Sequence, residues 1–151
     1  MNKRDIRWVL LLICIDQLTK FIVNLTVELD DEFLVLGRFF CITDAQNFGT
    51  ALHIVEGHTF LVILITALSL LLVFSYFHHV ESDDHMSRYG LLCMMGGLCG
   101  NLLDRLFLHY VRDIFLVSIA DFSMILNLAD LFLWIGLILI VSSHLKELRH
   151  P

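Results

Sequence analysis

Residues 89–111 read YGLLCMMGGLCGNLLDRLFLHYV. The run is uncharged from Tyr89 to Leu103, meets Asp104-Arg105, and continues apolar to about Val111. About 20 apolar residues are needed to cross ~30 Å of hydrocarbon, so the stretch is long enough to span a bilayer. Three further windows share that character. Trp8 to Val27 is apolar except for Asp16, Gln17 and Lys20, Thr59 to Phe77 has no charge, and Phe122 to Ser143 is broken only by Asn127 and Asp130. The expected fold is an all-α membrane protein, one domain over residues 1–151, with transmembrane helices near 8–27, 59–77, 89–108 and 122–143.

Composition agrees. The chain has 151 residues, of which 58% are hydrophobic and 17% charged, and its mean hydropathy is +0.79. A soluble domain is nearer half apolar and a quarter charged. A net charge of −6 with 10 Lys+Arg excludes an electrostatic nucleic-acid binder. Twelve Phe and a Leu/Ile/Val excess exclude disorder. Cys14, Cys41, Cys93 and Cys99 form no secreted disulfide framework, and no metal site is expected from them. The polar stretch His78 to His85 reads as a solvated connection between helices.

Orientation follows the basic residues. Lys3, Arg4, Arg7, Arg88, Lys146 and Arg149 fall on one side, against Arg38 and Arg112 on the other. Both termini are therefore expected in the cytoplasm, with residues 28–57 and 111–121 outside. Within the outer segment, Phe33–Leu36 and Phe39–Thr43 are β-prone runs separated by Gly37-Arg38, and Ala51–Val55 offers a third. A small extracytoplasmic β-prone cradle is expected there.

An ionisable group in hydrocarbon costs ~2.5 kcal/mol or more, so the charges inside the spans mark a candidate site. At ~1.5 Å of rise per residue, Lys20, Asp104 and Asp130 lie about 20–24 Å from the cytoplasmic end of their helices, in one layer. Asp16 and Lys20 are i,i+4 on one face. Asn101 is spaced to share a face with Asp104 and Arg105, and Asn127 to share one with Asp130. Two carboxylates near a membrane boundary, one protonated and one ionised, can activate water and protonate a leaving amine. On pattern alone Asp104, Asp113, Asp121 and Asp130 are all candidates for such a pair, and depth favours Asp104 with Asp130. His53, His58 and His109 read as surface residues. The glycines before Asn101 suit either close helix packing or room for a substrate helix. An ion pathway fits poorly, because the inner half of the bundle offers only Asp16.

Five segments in order resemble the lipoprotein signal peptidases (signal peptidase II), aspartyl proteases of the bacterial cytoplasmic membrane. Asp16-Gln17-Leu18-Thr19-Lys20 looks like the family's D-x-x-[ST]-K, and Asn47-Phe48-Gly49-Thr50-Ala51 like its N-x-G-A-A. Gly100-Asn101-Leu102-Leu103-Asp104-Arg105 is close to its G-N-x-x-D-R, and Val111-Arg112-Asp113-Ile114-Phe115 sits where it has V-x-D-F. Asn127-Leu128-Ala129-Asp130 matches all of F-N-x-A-D but its first residue, which is Leu126 here. The resemblance implies Asp113 and Asp130 as catalytic acids, replacing the depth-based pairing. Asn47, Gly49, Asn101, Asp104, Arg105 and Asn127 would line or brace the site, and Asp16 and Lys20 would support it. It implies removal of signal peptides from diacylglyceryl-modified prolipoproteins, before the lipidated cysteine, by a monomer in contact with membrane lipid and without metal or cofactor. The alternative is a diverged homologue that binds lipopeptides or inhibitors without cleaving them. Departures are Leu52, Leu126, Ile114, His109 where glycine is common, and Arg112, a cation expected to lower the pKa of Asp113.

Overall fold

A computed structural model describes residues 1–37, 39–49, 59–81, 83–119 and 122–149. The expected strand Ala51–Val55, and Arg38, His53, His58 and Asp121, lie outside them. The elements run α1 (Lys3–Thr26), β1 (Glu32–Leu36), β2 (Phe40–Asn47), α2 (Thr59–Phe77), α3 (His85–Phe107), β3 (Val111–Ile119), β4 (Phe122–Leu126) and α4 (Leu128–Arg149). Four helices stand with a four-stranded antiparallel sheet of order β1-β2-β3-β4. The β-prone segment expected beside the helices is a small antiparallel sheet, larger than residues 33–43 because residues 111–126 join it, so the chain is helical with a sheet rather than all-α.

The helices start where the sequence supplies caps. The Asn2 side chain accepts from the backbone N–H groups of Arg4 and Asp5, and the Asp5 carboxylate accepts from the Asn2 N–H, a capping box. Asp84 caps α3 by accepting from the Ser87 N–H. At the other end of α3, His109 adopts φ +69°, the left-handed turn that helix ends favour and glycine fills most easily.

Burial along α1 is inverted relative to a soluble helix: its buried residues are Asp5, Val9, Asp16 and Lys20. Leu10, Leu18, Phe21 and Leu25 point outward, as do Leu68, Leu71 and Leu72 of α2 and Trp134 and Ile138 of α4. Polar groups inside and apolar groups outside are what a lipid solvent selects. Among the described residues, Lys3–Thr26, Thr59–Phe77 and Leu128–Lys146 are long and apolar enough to cross a membrane. α3 is of similar length but carries Arg88, Asn101, Asp104 and Arg105, and it touches all three other helices.

The α3 glycines are packing devices. A Cβ at Gly90 would meet the Gly136 carbonyl at 2.8 Å, one at Gly97 would collide with the Ala129 carbonyl, and one at Gly100 would lie 2.6 Å from the Asp16 carboxylate. The helix approaches α1 and α4 too closely to leave a substrate groove along this stripe. An apolar core of Val9, Phe77, Leu91, Leu92 and Met95 fills the end of the bundle remote from the sheet.

The fourth apolar window divides. Phe122–Leu126 forms β4, which pairs with β3, and α4 begins only at Leu128. Phe122–Leu126 is as apolar as the helix that follows, so hydropathy alone hid the change of element. The β-prone run at Val111–Ile119, expected only as a short outer segment, is the longest strand of the sheet.

Candidate active site

The site lies where α1, α3 and the start of α4 meet β2 and β3. Lys20 is fully buried, and its ammonium has three acceptors for its three protons. These are the Asp16 carboxylate at 2.8 Å, the Asp104 carboxylate at 3.1 Å and the Asn101 side-chain oxygen at 3.0 Å. Asp16 also accepts the Ala129 backbone N–H at 2.9 Å, which ties α1 to α4. The layer expected from helical depth is therefore a connected network rather than scattered charge.

Asp130 hangs from that network by an amide. Asn101 passes its Nδ2–H to the Asp130 carboxylate at 2.8 Å while its oxygen faces Lys20. Asn127 does not share a helical face with Asp130, as spacing suggested. It precedes α4 and caps it: the Asp130 N–H donates to the Asn127 side chain at 3.0 Å, and the Asn127 N–H donates back to the Asp130 carboxylate at 3.2 Å.

Asp113 arrives from β3. A bulge in β2 between Ile42 and Ala45 sets its register, and Ala45 stands opposite Asp113. Its two oxygens accept from two carboxamides, Asn127 at 2.6 Å and Asn47 at 2.8 Å. Asn127 thus touches both acids, and this brings Asp113 and Asp130 together. Burial, reinforced by repulsion from the Asp130 carboxylate, pushes Asp113 up from the ordinary carboxylate value to about 6, against the two amides and the more distant Lys20.

One expectation about arginine is corrected. Arg112 does not lie against Asp113; successive strand residues face opposite ways. Its guanidinium reaches Asp104 at 2.6 Å and the Gln17 side-chain oxygen at 2.8 Å, and its backbone N–H donates to Asp104 at 3.1 Å. Asp104 is therefore held by Lys20 and Arg112, not by its neighbour Arg105. Arg105 donates instead to the carbonyls of Asn101 and Gly49, each at 3.4 Å. Gly49 also gives its N–H to Asn47 at 3.0 Å, so Arg105 and Asn47 together hold this outer segment beside Asp113.

Gln17 received no role from the sequence, yet it donates to Asp104 and the Gly100 carbonyl, both at 3.1 Å, and accepts from Arg112. Its position between Asp16 and Lys20 was the available signal. All ten residues singled out from the sequence, other than the surface histidines and Asp121, belong to this one hydrogen-bonded assembly.

A family model described as signal peptidase (SPase) II matches residues 8–146. The lipoprotein signal peptidase of Fusobacterium nucleatum is 33% identical over 137 residues, 90% of this chain and 82% of that protein. The lipoprotein signal peptidase of Bacillus pumilus is 32% identical over 137 residues, 90% and 88% of the two chains. Two solved structures, each described as a bacterial membrane enzyme determined by the in meso method, share 30% identity with this chain. One has a TM-score of 0.83 and covers 95% of this chain and 88% of its own, the other 0.80, 95% and 93%.

Proposed function

From a chain that belongs to the signal peptidase (SPase) II family, we propose an aspartic mechanism in which Asp113 and Asp130 cleave the peptide bond of a lipoprotein precursor. Its function is that of a lipoprotein signal peptidase. The observation that carries the mechanism is the pair of carboxylates joined by Asn127, with hydrogen bonds to both. Like charges so placed do not both ionise cheaply, and one proton is shared between them. The ionised member removes a proton from water, the hydroxide adds to the scissile carbonyl carbon, and the protonated member donates to the carbonyl oxygen. The tetrahedral intermediate then collapses as the leaving amine takes up a proton and the C–N bond breaks.

Asn47, Asn101 and Asn127 fix the carboxylates by donating amide protons, while Asp16, Lys20, Asp104, Arg105 and Gly49 brace the elements that carry them. The retention of this whole set within bonding distance favours cleavage over a binding-only homologue. The remainder of the reading follows the same logic. Four helices cross the bacterial cytoplasmic membrane as one domain, with the dyad and sheet on the extracytoplasmic side. The exposed apolar residues Phe33, Ile119 and Phe122 of the sheet offer a surface to the signal peptide and to lipid. The monomer takes prolipoproteins carrying a lipidated cysteine, and cuts before it.

The test is a gel-shift assay on a diacylglyceryl prolipoprotein with purified enzyme. Asp113→Asn and Asp130→Asn are each expected to abolish cleavage, and the double variant to lose little more than either single one, because the two act as a unit. Cleavage at wild-type rate by either single variant overturns the assignment.

A further inference from the structure

Arg112 stands where the family resemblance leaves the residue unspecified, and nothing in the dyad chemistry uses it. Its surroundings are nevertheless highly constrained. Without it, the buried set Asp16, Lys20 and Asp104 sums to one negative charge; with it the sum is zero. Asp104 grips residue 112 twice, one oxygen on the backbone N–H at 3.1 Å and the other on the guanidinium at 2.6 Å. Gln17 closes the arrangement by accepting from that guanidinium at 2.8 Å while donating to Asp104 at 3.1 Å. The remaining charged neighbours do not substitute for it. Arg105 is engaged by the carbonyls of Asn101 and Gly49, and Lys20 by Asp16, Asp104 and Asn101. Val111 and Ile114, on either side of the 112–113 pair, are buried. The start of β3 is therefore pinned to α1 and α3 through one face while it presents Asp113 to Asn47 and Asn127 through the other.

We propose that Arg112 is a positioning residue for the dyad: by neutralising Asp104 and clamping the first turn of chain after α3 to Gln17, it fixes the place from which Asp113 meets Asp130. The inference rests on Asp113 and Asp130 being the catalytic pair. A carboxylate displaced by about an ångström can lose roughly a hundredfold in rate with substrate binding little changed.

The experiment compares Arg112→Met, Arg112→Gln and Arg112→Lys with Asp113→Asn and wild type in the prolipoprotein cleavage assay, with folding followed by circular dichroism. Folded Arg112→Met is expected to lose roughly ten- to hundredfold in kcat, with KM within about threefold of wild type. Arg112→Lys keeps the charge beside Asp104 and is expected to recover most of that loss. Arg112→Met combined with Asp104→Asn is expected to lose less than the product of the two single losses, since the two residues act through one contact. If Arg112→Met does not fold, the Lys and Gln variants carry the same comparison, with kcat retained by Lys and lost by Gln. Wild-type kcat in a folded Arg112→Met or Arg112→Gln protein, or a double variant whose losses multiply, overturns the inference. An active Asp113→Asn overturns the catalytic reading itself, whereas an inactive Asp113→Asn beside an unimpaired Arg112→Met removes only the role of Arg112.

Discussion

Asp113 is nearly out of solvent, yet its carboxylate faces two amide donors and another acid, and these influences oppose one another. Burial and the Asp130 charge win, leaving it at about 6 against 3.8 for the ordinary group. The folded state then binds this proton more tightly than the unfolded chain does. Its contribution to stability is full below pH 3.8 and is lost as pH rises through about 6, a change on the order of 3 kcal/mol from this residue alone. Asp113→Asn carries no proton to lose. Thermal unfolding in detergent between pH 4 and pH 7.5 is therefore expected to show the wild-type midpoint falling relative to that of Asp113→Asn. Parallel curves for the two proteins would show that Asp113 ionises as it does in the unfolded chain. On the proposed assignment Asp113→Asn removes the chemistry while relieving a buried charge near neutral pH, so activity and stability need not move together.

Between α3 and its neighbours, glycine decides how near the site's two halves come. A Cβ at Gly97 would strike the Ala129 backbone carbonyl, one residue before Asp130, and backbone cannot step aside cheaply. A Cβ at Gly100 would press on the Asp16 carboxylate that holds both Lys20 and the Ala129 N–H. A Cβ at Gly96 would meet the Leu12 Cβ at 2.8 Å, an atom fixed to the α1 backbone, but this contact lies a turn farther from the Asp16–Lys20 network. All three Gly→Ala changes are expected to cost about 1–3 kcal/mol, with Gly97→Ala and Gly100→Ala also losing most of the activity and Gly96→Ala keeping more of it. Unfolding midpoints and cleavage rates of the three variants check this; a Gly96→Ala protein as impaired in cleavage as Gly97→Ala would contradict it. These elements also show what could be read without coordinates. α2 coincides with the uncharged run Thr59 to Phe77, because nothing in that window competes with the hydrophobic signal. β3 and β4 escaped because Phe122–Leu126 is as apolar as the helix it precedes, and periodicity cannot separate a short buried strand from helix. The Asp104–Arg112 pair escaped for the same reason: only once residues 111–119 are a strand do Arg112 and Asp113 face opposite ways. Helical depth found Lys20, Asp104 and Asp130, whose helices carry them directly. It could not find Asp113, which a strand returns to that level, and the family resemblance supplied it.

The whole molecule is divided along its length. One end holds the apolar core around Phe77, Leu91 and Met95, closed by the Arg88–Asp5 ion pair at 3.3 Å and by the Arg88 guanidinium 4.6 Å over the Phe77 ring. The other end holds the charge network, the dyad and the sheet. That division suits the proposed reading, in which Asp113 and Asp130 stand at one boundary of the membrane. The positive-inside rule predicts an orientation: Lys3, Arg4, Arg7, Arg88 and Lys146 belong to the end with the apolar core, which is expected in the cytoplasm. Single cysteines at Asp31 and Asp83, both exposed, report on opposite ends. Asp44 is unsuited to this, since its carboxylate is buried against the Asn24 amide at 2.7 Å. In intact cells a membrane-impermeant maleimide is expected to label Asp31→Cys and leave Asp83→Cys unlabelled until the membrane is permeabilised. Labelling must be scored against the unsubstituted chain, which carries Cys14, Cys41, Cys93 and Cys99. The reverse pattern would turn the molecule over and place Asp113 and Asp130 on the cytoplasmic side. Labelling of both positions from outside would break the four-span reading, because an even number of crossings separates Asp31 from Asp83 only in that case. The measurement therefore tests α3 as well as orientation: without a crossing between Asp83 and the sheet, β3 could not join β2 on the outer face.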